Sequence, residues 1–466
     1  MDNIFTYSFL RERNVFFIAV LFEISSFGFY FLHPYLAVLP TLLILSIIFF
    51  YYAFLIGPLP WIFLMVIATG LDTWGRIAGG VTLFHIAWIM SIITVVFAIF
   101  SRNYKLHWNF SINKYFILYI FLASFSLIYS PNKLEGLQLI VITIALYFLF
   151  IFIANFIESK KDLLVVIWSL LIANVFNSFL TFYQIAFQNV LYFGRGTVES
   201  STGEKIWRAG GTFYDPNVLA SFMVVGTVLG IALIIYSDIS KKHKSLIFLS
   251  VVVSIVGILA TFSRSGWISL TIGFLALMAV HKKKIYLFYA VSVFGLLLAF
   301  FILFTTYGGF IVERIFSIFD IYKDISIRTR LGLAISSVKM FIDNPFLGIG
   351  FRGFPSLYPL YVDSITPTAL LYVKESHTLY TLLLAELGIP GFVVVMLLFT
   401  QVFKDSLNKL KENLSPFYRA VYVGNFAVFI SLIITYFFYG SLFPDFNLIW
   451  INLGMIYLIK TDRKKQ

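Results

Sequence analysis

The chain has 466 residues and is too apolar for a soluble protein, since 60% are hydrophobic, 12% are charged and the mean hydropathy is +0.93. These values predict an all-α integral membrane protein. The net charge of +12 does not indicate nucleic-acid binding, because Lys and Arg fall in short clusters between apolar runs. The chain has no cysteine, which excludes a disulfide framework, a thiolate metal site and a cysteine nucleophile.

Apolar runs recur along the whole chain and predict a single transmembrane domain, residues 1–466, built as a polytopic bundle of about 12–14 helices. The predicted spans are 15–32, 35–56, 58–71, 82–100, 114–130, 137–157, 163–189, 217–236, 246–261, 266–281, 284–306, 379–403, 417–438 and 443–460. The third is short enough to be re-entrant.

Charge sets the predicted orientation, because short cytoplasmic loops carry an excess of Lys and Arg. Alternate connections between the spans hold basic clusters, such as Lys160 with Lys161 and Lys282 to Lys284. Arg11 and Arg13 precede the first span, and Arg463 to Lys465 follow the last. Both termini are therefore predicted to be cytoplasmic.

Two outer connections, 190–216 and 307–377, are too long to be simple turns, and long surface loops often carry function. The second contains an amphipathic helix, with Ser326 as its cap and Asn344-Pro345 as its stop. Its apolar face consists of Ile327, Leu331, Ala334, Ile335, Val338, Phe341 and Ile342. This helix is predicted to lie over the bundle.

Arginines on the outer face have no topological reason to be there, and some are expected to be solvated or paired with Asp72, Glu313 or Asp324. Their positions are Arg76, Arg195, Arg208, Arg264, Arg314, Arg328, Arg330 and Arg352. Arg264 stands in TFSRSGW, where Ser263 or Ser265 caps the next helix. A cation at a helix N-terminus is unfavourable unless an anion lies beside it, so Arg264 indicates an anion site or contact with lipid phosphates.

The segment RAGGTFYDPNVLA begins with Arg208 and precedes another helix start. Asp215 as the cap and Pro216 at the first helical position are typical structural signals, and Asn217 is assigned to the same structural group. Gly210 and Gly211 allow a tight turn or a close approach to a ligand. Arg208 and Arg264 could therefore converge on one diphosphate.

His377 begins the span HTLYTLLLAELGIPGF, at a helix N-terminus whose dipole favours the neutral imidazole. A neutral imidazole can act as a general base, although an interfacial histidine often serves only in packing. His85 has the same two interpretations. Glu23 and Glu386 lie within spans, where an ionisable group is a functional candidate or a paired or protonated structural residue.

The sequence lacks a P-loop, a GxGxxG in a βαβ context and an HExxH, so energy or an activated substrate must come from another source. Four segments together resemble the superfamily of O-antigen ligases and Wzy-type polymerases, which are bacterial membrane glycosyltransferases. The matching segments are RAGGTFYDPNVLA (208–220), SRSGW (263–267), NPFLGIGFRGF (344–354) and HTLYTLLLAELGIPGF (377–392). The resemblance covers roughly residues 205–400.

The resemblance implies metal-independent transfer of a glycan from undecaprenyl diphosphate to an acceptor hydroxyl, with no cofactor, within a GT-C-like fold. Transfer would occur on the outer, periplasmic face of the bacterial cytoplasmic membrane. Carried over by position, Arg208, Arg264 and Arg352 would bind the diphosphate, and His377 would orient or deprotonate the acceptor. The partners would be the lipid-linked glycan, a glycan or glycolipid acceptor, and membrane lipid.

The acceptor distinguishes a ligase from the alternative, a Wzy-type polymerase that extends lipid-linked repeat units; the motifs favour the ligase only slightly. A flippase or transporter for lipid-linked oligosaccharides is an alternative of another class, but it would show repeats or interior charges. A SEDS-type peptidoglycan polymerase would use a similar donor. Its acidic outer-loop signature is not found in this sequence.

Overall fold

A computed structural model describes residues 58–71, 76–78, 81–102, 105–188, 197–199, 205–280, 325–366, 376–440 and 447–459, with five single positions between 295 and 312. The predicted spans at 15–32 and 35–56, most of the one at 284–306, and Glu23, Arg195 and Arg314 lie outside these residues.

The described residues are predominantly α-helical, as the composition predicts. The first helices are α1 Leu59–Thr69, α2 Leu83–Arg102, α3 Asn113–Ser126, α4 Lys133–Phe156, α5 Lys160–Phe187, α6 Pro216–Tyr236, α7 Lys241–Ala260 and α8 Arg264–Val280. They are followed by α9 Ile325–Asp343, the single turn α10 Phe354–Leu357, a 3-10 turn Tyr358–Leu360, α11 Leu379–Lys411, α12 Pro416–Thr435 and α13 Asn447–Ile456.

Two short antiparallel hairpins complete the described structure. Strand β1 (Arg76–Ala78) pairs with β2 (Val81–Thr82), ahead of α2. Strand β3 (Thr197–Glu199) pairs with β4 (Lys205–Trp207), so the first long connection contains a hairpin just before Arg208.

Seven described helices are long and apolar enough to cross a membrane: α2, α4, α5, α6, α7, α11 and α12. Helices α1, α8 and α13 are apolar but shorter. The chain is therefore an all-α polytopic membrane protein. Helix α1 has 11 residues and a length of only about 16 Å, which fits the short third span.

The chain divides into two compact units, residues 1–61 with 89–105 and residues 62–88 with 106–466. In the second unit, α6 packs against α5, α7, α8 and α12. Small residues allow these close approaches: a Cβ on Gly273 of α8 would lie 2.1 Å from Ser431 Oγ of α12. Close packing through small residues is typical of helices in membranes.

Connections predicted to share a membrane side meet at one end of this unit. Lys160, at the start of α5, forms an ion pair with Asp238, which follows α6, at 3.3 Å. Tyr457, after α13, donates a hydrogen bond to Asp405 near the end of α11 at 2.6 Å. These contacts agree with the predicted alternation of loops, while the identity of the cytoplasmic side remains a prediction.

Helix α9 differs from its prediction in two respects. It begins at Ile325, so Ser326 lies in its first turn and not at its cap; its end at Asp343 fits the predicted stop. The face packed against the protein is built from Leu333, Ser336, Ser337 and Met340, while the predicted apolar face is partly or fully exposed. A membrane protein can place small and hydroxyl side chains between helices and apolar ones towards lipid.

Candidate active site

The loop before α6 is fixed to α5 by buried amide side chains. Gln184 donates to the carbonyl of Gly211 at 2.8 Å and accepts from its N–H at 2.9 Å. Asn177 accepts from the N–H and the hydroxyl of Thr212, both at 2.9 Å. Gly211 has a φ of +59°, and a Cβ there would lie 2.4 Å from Asn177 Oδ1. The tight turn, one of the two interpretations of the glycines, is confirmed. The neighbours seen here are protein groups, so the close approach to a ligand stays a prediction.

Arg208 lies at the start of this loop and is 9% exposed. Its Nε donates to the carbonyl of Thr261, just after α7, at 3.0 Å. Its Nη2 donates to Oδ1 of Asn217 in the first turn of α6, also at 3.0 Å. Asp215 caps α6 by accepting from the N–H of Asn217 at 2.7 Å, as predicted. The guanidinium therefore joins the end of α7 to the start of α6.

Arg264 is the first residue of α8 and is 8% exposed. Ser263 accepts from the N–H of Gly266 at 3.2 Å, which confirms it as one of the two predicted capping serines. The same Ser263 hydroxyl donates to Asn217 Oδ1 at 2.9 Å. Arg208, Asn217, Thr261, Ser263 and Arg264 thus belong to one connected group, the arginine cluster.

The arginine cluster favours an anion for two reasons. Arg208 and Arg264 are each at least nine-tenths buried as residues, and a buried cation is costly to desolvate. Both also contact a helix N-terminus, whose dipole end is positive: Arg208 donates to Asn217 in the first turn of α6, and Arg264 is the first residue of α8. A diphosphate would lower the cost of both cations and accept their N–H groups.

His377 lies directly before α11, is partly buried and has a left-handed φ of 54°. The turn that holds it is fixed on both sides. Ser376 donates to the carbonyl of Thr378 at 2.8 Å, and the N–H of Leu379 donates to the carbonyl of Tyr436 at the end of α12 at 3.0 Å. The imidazole is thus carried by a backbone anchored to α12.

The end of α12 also contacts α8, the helix that begins with Arg264. The hydroxyl oxygens of Ser269 and Thr435 lie 2.9 Å apart. Ser269 is five residues after Arg264, an axial distance of about 7.5 Å in an α-helix. Because Thr435 precedes the Tyr436 carbonyl that anchors the His377 turn, Arg264 and His377 lie at the same end of the bundle.

Arg352 lies in a different environment. Its Nη2 forms an ion pair with Glu135 in the first turn of α4, at 2.9 Å. Asn132 donates to the Arg352 carbonyl at 2.9 Å. Pairing with a carboxylate was one of the interpretations of the outer arginines, and for Arg352 the structure gives Glu135 as such a partner. Asp72, Glu313 and Asp324, the partners named from the sequence, lie outside the described residues. A role of Arg352 in diphosphate binding stays a prediction.

The loop containing Arg352 forms backbone hydrogen bonds with α11 where that helix is broken. The helix is non-helical at Gly388, and Pro390 has no N–H to donate. The N–H of Ile389 donates to the carbonyl of Pro345 at 2.9 Å, and the carbonyl of Ala385, which it would serve in a regular helix, accepts from the N–H of Ile349 at 2.8 Å. A broken helix in a membrane is tolerated where neighbouring segments satisfy its backbone groups.

Glu386 beside this break is 6% exposed. Its backbone carbonyl accepts from the N–H of Gly350 at 3.0 Å, and its side-chain Oε1 accepts from the N–H of Phe354 at 3.2 Å. Both contacts hold the 344–354 loop, which supports the structural interpretation of Glu386. His85 also has a local role, since its Nδ1 lies 2.8 Å from the Thr82 hydroxyl at the start of α2.

The chain leading towards His377 is held against α9 by two polar contacts. Lys339 forms an ion pair with Asp363 at 2.8 Å, and Tyr361 donates to Asp343 at 2.8 Å. The hydrogen bond from Lys339 lowers the pKa of the Asp363 carboxyl, and the bond to Asp343 raises the pKa of the Tyr361 hydroxyl. These contacts hold residues 361–363 against α9.

Asn217 and Ser263 connect the two arginines, a role that the sequence interpretation missed. Asn217 was assigned only to the helix start, although asparagine is a poor helix former and α6 is otherwise almost entirely apolar. A polar amide in the first turn of an apolar span was the available signal. Among the described residues, no group of three or more His, Asp or Glu is placed to hold a metal ion.

Fold and site together define a polytopic membrane protein with a buried cationic cluster at two helix N-termini. Residues 249–396 match the family model Wzy_C, described as O-antigen ligase, which confirms the resemblance inferred from the motifs. The matched segment contains Arg264, Arg352 and His377, and Arg208 lies before it. No curated protein matches the chain. The family match supports a glycan transfer function of the ligase or polymerase type.

Proposed function

We propose that the protein transfers a glycan from undecaprenyl diphosphate to an acceptor hydroxyl, as an O-antigen ligase does, on the outer face of the bacterial cytoplasmic membrane. The observation that carries this proposal is that Arg208 and Ser263 both donate to Asn217 Oδ1, which brings the buried Arg208 close to the turn that holds the buried Arg264. The proposed reaction occurs in a GT-C-like fold and uses no metal ion.

The arginine cluster would bind the diphosphate of the donor. Transfer breaks the bond between the anomeric carbon of the glycan and the diphosphate oxygen, so negative charge grows on undecaprenyl diphosphate as it leaves. Buried cations and positive helix ends stabilise that charge more strongly than water does, because they are already oriented towards it. This electrostatic contribution is the main catalytic effect assigned to Arg208 and Arg264.

His377 would act as the general base for the acceptor hydroxyl. The acceptor oxygen forms the new bond to the anomeric carbon, and its proton passes to the imidazole as undecaprenyl diphosphate leaves. The left-handed turn anchored to Tyr436 fixes the backbone of His377. The Ser269 and Thr435 contact fixes the distance between that turn and the helix that begins with Arg264.

The proposal is tested with purified protein, a synthetic undecaprenyl-diphosphate oligosaccharide and EDTA. A glycosylated product that forms only after addition of a separate acceptor supports ligation. Growth of the lipid-linked glycan without another acceptor would identify a polymerase. No turnover of lipid-linked donors, together with movement of the intact lipid across a vesicle membrane, would indicate a flippase and contradict the proposal.

A further inference from the structure

Asn217 occupies a specific position between a carboxylate and a guanidinium. Its backbone N–H and its Nδ2 donate to Asp215 Oδ1, at 2.7 and 2.9 Å. Its Oδ1 accepts from Arg208 Nη2 at 3.0 Å and from the Ser263 hydroxyl at 2.9 Å. The donors and acceptors on the two sides fix the orientation of the amide, because only Oδ1 can accept.

This amide joins parts that are distant in the chain. Arg208 lies nine residues before Asn217, and Ser263 lies forty-six residues after it. Ser263 immediately precedes Arg264 and caps its helix through Gly266. A shift of Asn217 would therefore move Arg208 and the turn before Arg264 together, so one side chain sets the spacing of both predicted diphosphate ligands.

The chemical type of the residue also matters. An amide oxygen orients a guanidinium through a hydrogen bond without contributing a negative charge. A carboxylate at the same place would make a charge-assisted pair with Arg208 and would repel an incoming diphosphate. Asp215 already supplies one carboxylate to the helix cap. The neutral amide of Asn217 bonds to both Asp215 and Arg208, and it adds no second carboxylate to the site.

We infer that Asn217 is a positioning residue for the lipid diphosphate, and that its side chain must be neutral because a carboxylate at this place would compete with the donor for Arg208. This inference rests on the proposed function and deepens it, because it assigns the geometry and charge of the diphosphate site to an uncharged side chain. Asn217 is not a catalytic residue, since it acts through Arg208 and Ser263.

Asn217→Asp is the most direct test, because it keeps the size and the acceptor oxygen while adding one negative charge. We expect the KM for the undecaprenyl-diphosphate donor and the Kd for undecaprenyl diphosphate alone to rise at least about tenfold. We expect kcat at saturating donor to change much less. Asn217→Ala removes the three side-chain hydrogen bonds, to Asp215, Arg208 and Ser263, without adding charge and should give a smaller rise in both constants.

Asn174→Ala is the matched control. Asn174 is fully buried in α5 and donates to the carbonyl of Met223 in α6 at 2.8 Å, so its loss also removes a buried hydrogen bond between these helices. It should lower thermal stability while leaving the donor KM within about twofold of wild type. A structural role alone would make the Asn217 variants behave like this control.

The outcomes separate this inference from the proposed function. If wild type binds undecaprenyl diphosphate and Asn217→Asp binds it equally well, the inference is wrong and the proposed function stands. If wild type does not bind it, both are wrong. Should Asn217→Asp fail to fold, Asn217→Ala decides, and an unchanged donor KM and Kd in that variant would overturn the inference.

Discussion

The hydroxyl oxygens of Ser269 and Thr435 lie 2.9 Å apart in the buried interface of α8 and α12. One helix begins with Arg264, and the other ends where the turn carrying His377 is anchored. This hydrogen bond is one of the described contacts between the two helices that carry the halves of the candidate site. Its position suggests that helix packing, and not loop structure, sets the distance between diphosphate and acceptor.

Removal of this bond should therefore lower activity without changing either functional side chain. Ser269→Ala and Thr435→Val should each reduce kcat/KM by a few fold and stability by about 1 kcal/mol. The double variant should be little worse than the more affected single variant, because both lose the same contact. Thr400→Val, which removes a hydroxyl bonded only within α11, is the control. Fully additive losses in kcat/KM would show that the two hydroxyls act independently.

His377→Ala should lower kcat by roughly 10²–10⁴-fold with little change in the donor KM, because it removes the proposed general base and not a diphosphate ligand. Wild-type kcat should fall as the pH is lowered, since a protonated imidazole cannot accept a proton. This acidic decline should be absent in the residual activity of the variant. His85→Ala should retain activity. A variant at His377 with normal kcat would remove the histidine from the mechanism.

Gly348→Ala should disrupt the 344–354 loop, which bonds to the break in α11. Gly348 has a φ of +67°, and a Cβ there would lie 2.4 Å from the backbone of Glu386. The left-handed backbone alone costs a non-glycine residue roughly 1–3 kcal/mol, so we expect a lower melting temperature and reduced activity. Gly295→Ala places its Cβ in open space and is the control. Equal melting temperatures for the two variants would contradict this account of the loop.

The ion pair of Lys339 and Asp363 should give a small stability that depends on pH. The pKa of Asp363 is lowered in the folded protein, so its contribution is present above the pKa of an unfolded aspartate and is lost as the pH falls through the folded pKa. Lys339 is 46% exposed, so the effect should stay below about 1 kcal/mol. Melting curves of wild type and Asp363→Asn should differ at pH 7 and converge in acid. A difference that grows in acid would contradict the assignment.

Much of the fold could be predicted because apolar runs and helix signals are local. Asp215 with Pro216 and the serine before Arg264 marked helix starts that the structure confirms. The buried face of α9 could not be predicted in this way. Apolar side chains can face either lipid or protein in a membrane, so the apolar stripe containing Val338 did not reveal which face packs.

The candidate site could be predicted only in part, because several of its contacts join residues that are far apart in the chain. A helix start and a nearby charge predict an anion site at Arg264, but the contact of Arg208 with Thr261 joins residues fifty-three positions apart. Such long-range contacts have no local signature. The role of Asn217 was missed because its partners, Arg208 and Ser263, lie nine and forty-six residues away, and a polar amide in the first turn of an apolar helix does not reveal them.

The most direct measurement is donor-dependent transfer by Arg208→Ala and Arg264→Ala, with EDTA present and with Arg419→Ala as a control in the first turn of α12. Each of the two cluster variants should lose roughly 10²–10³-fold in kcat/KM, while the control and the EDTA-treated wild type should remain active. Full activity in either cluster variant, or loss of wild-type activity in EDTA, would contradict a diphosphate site built from two arginines and no metal ion.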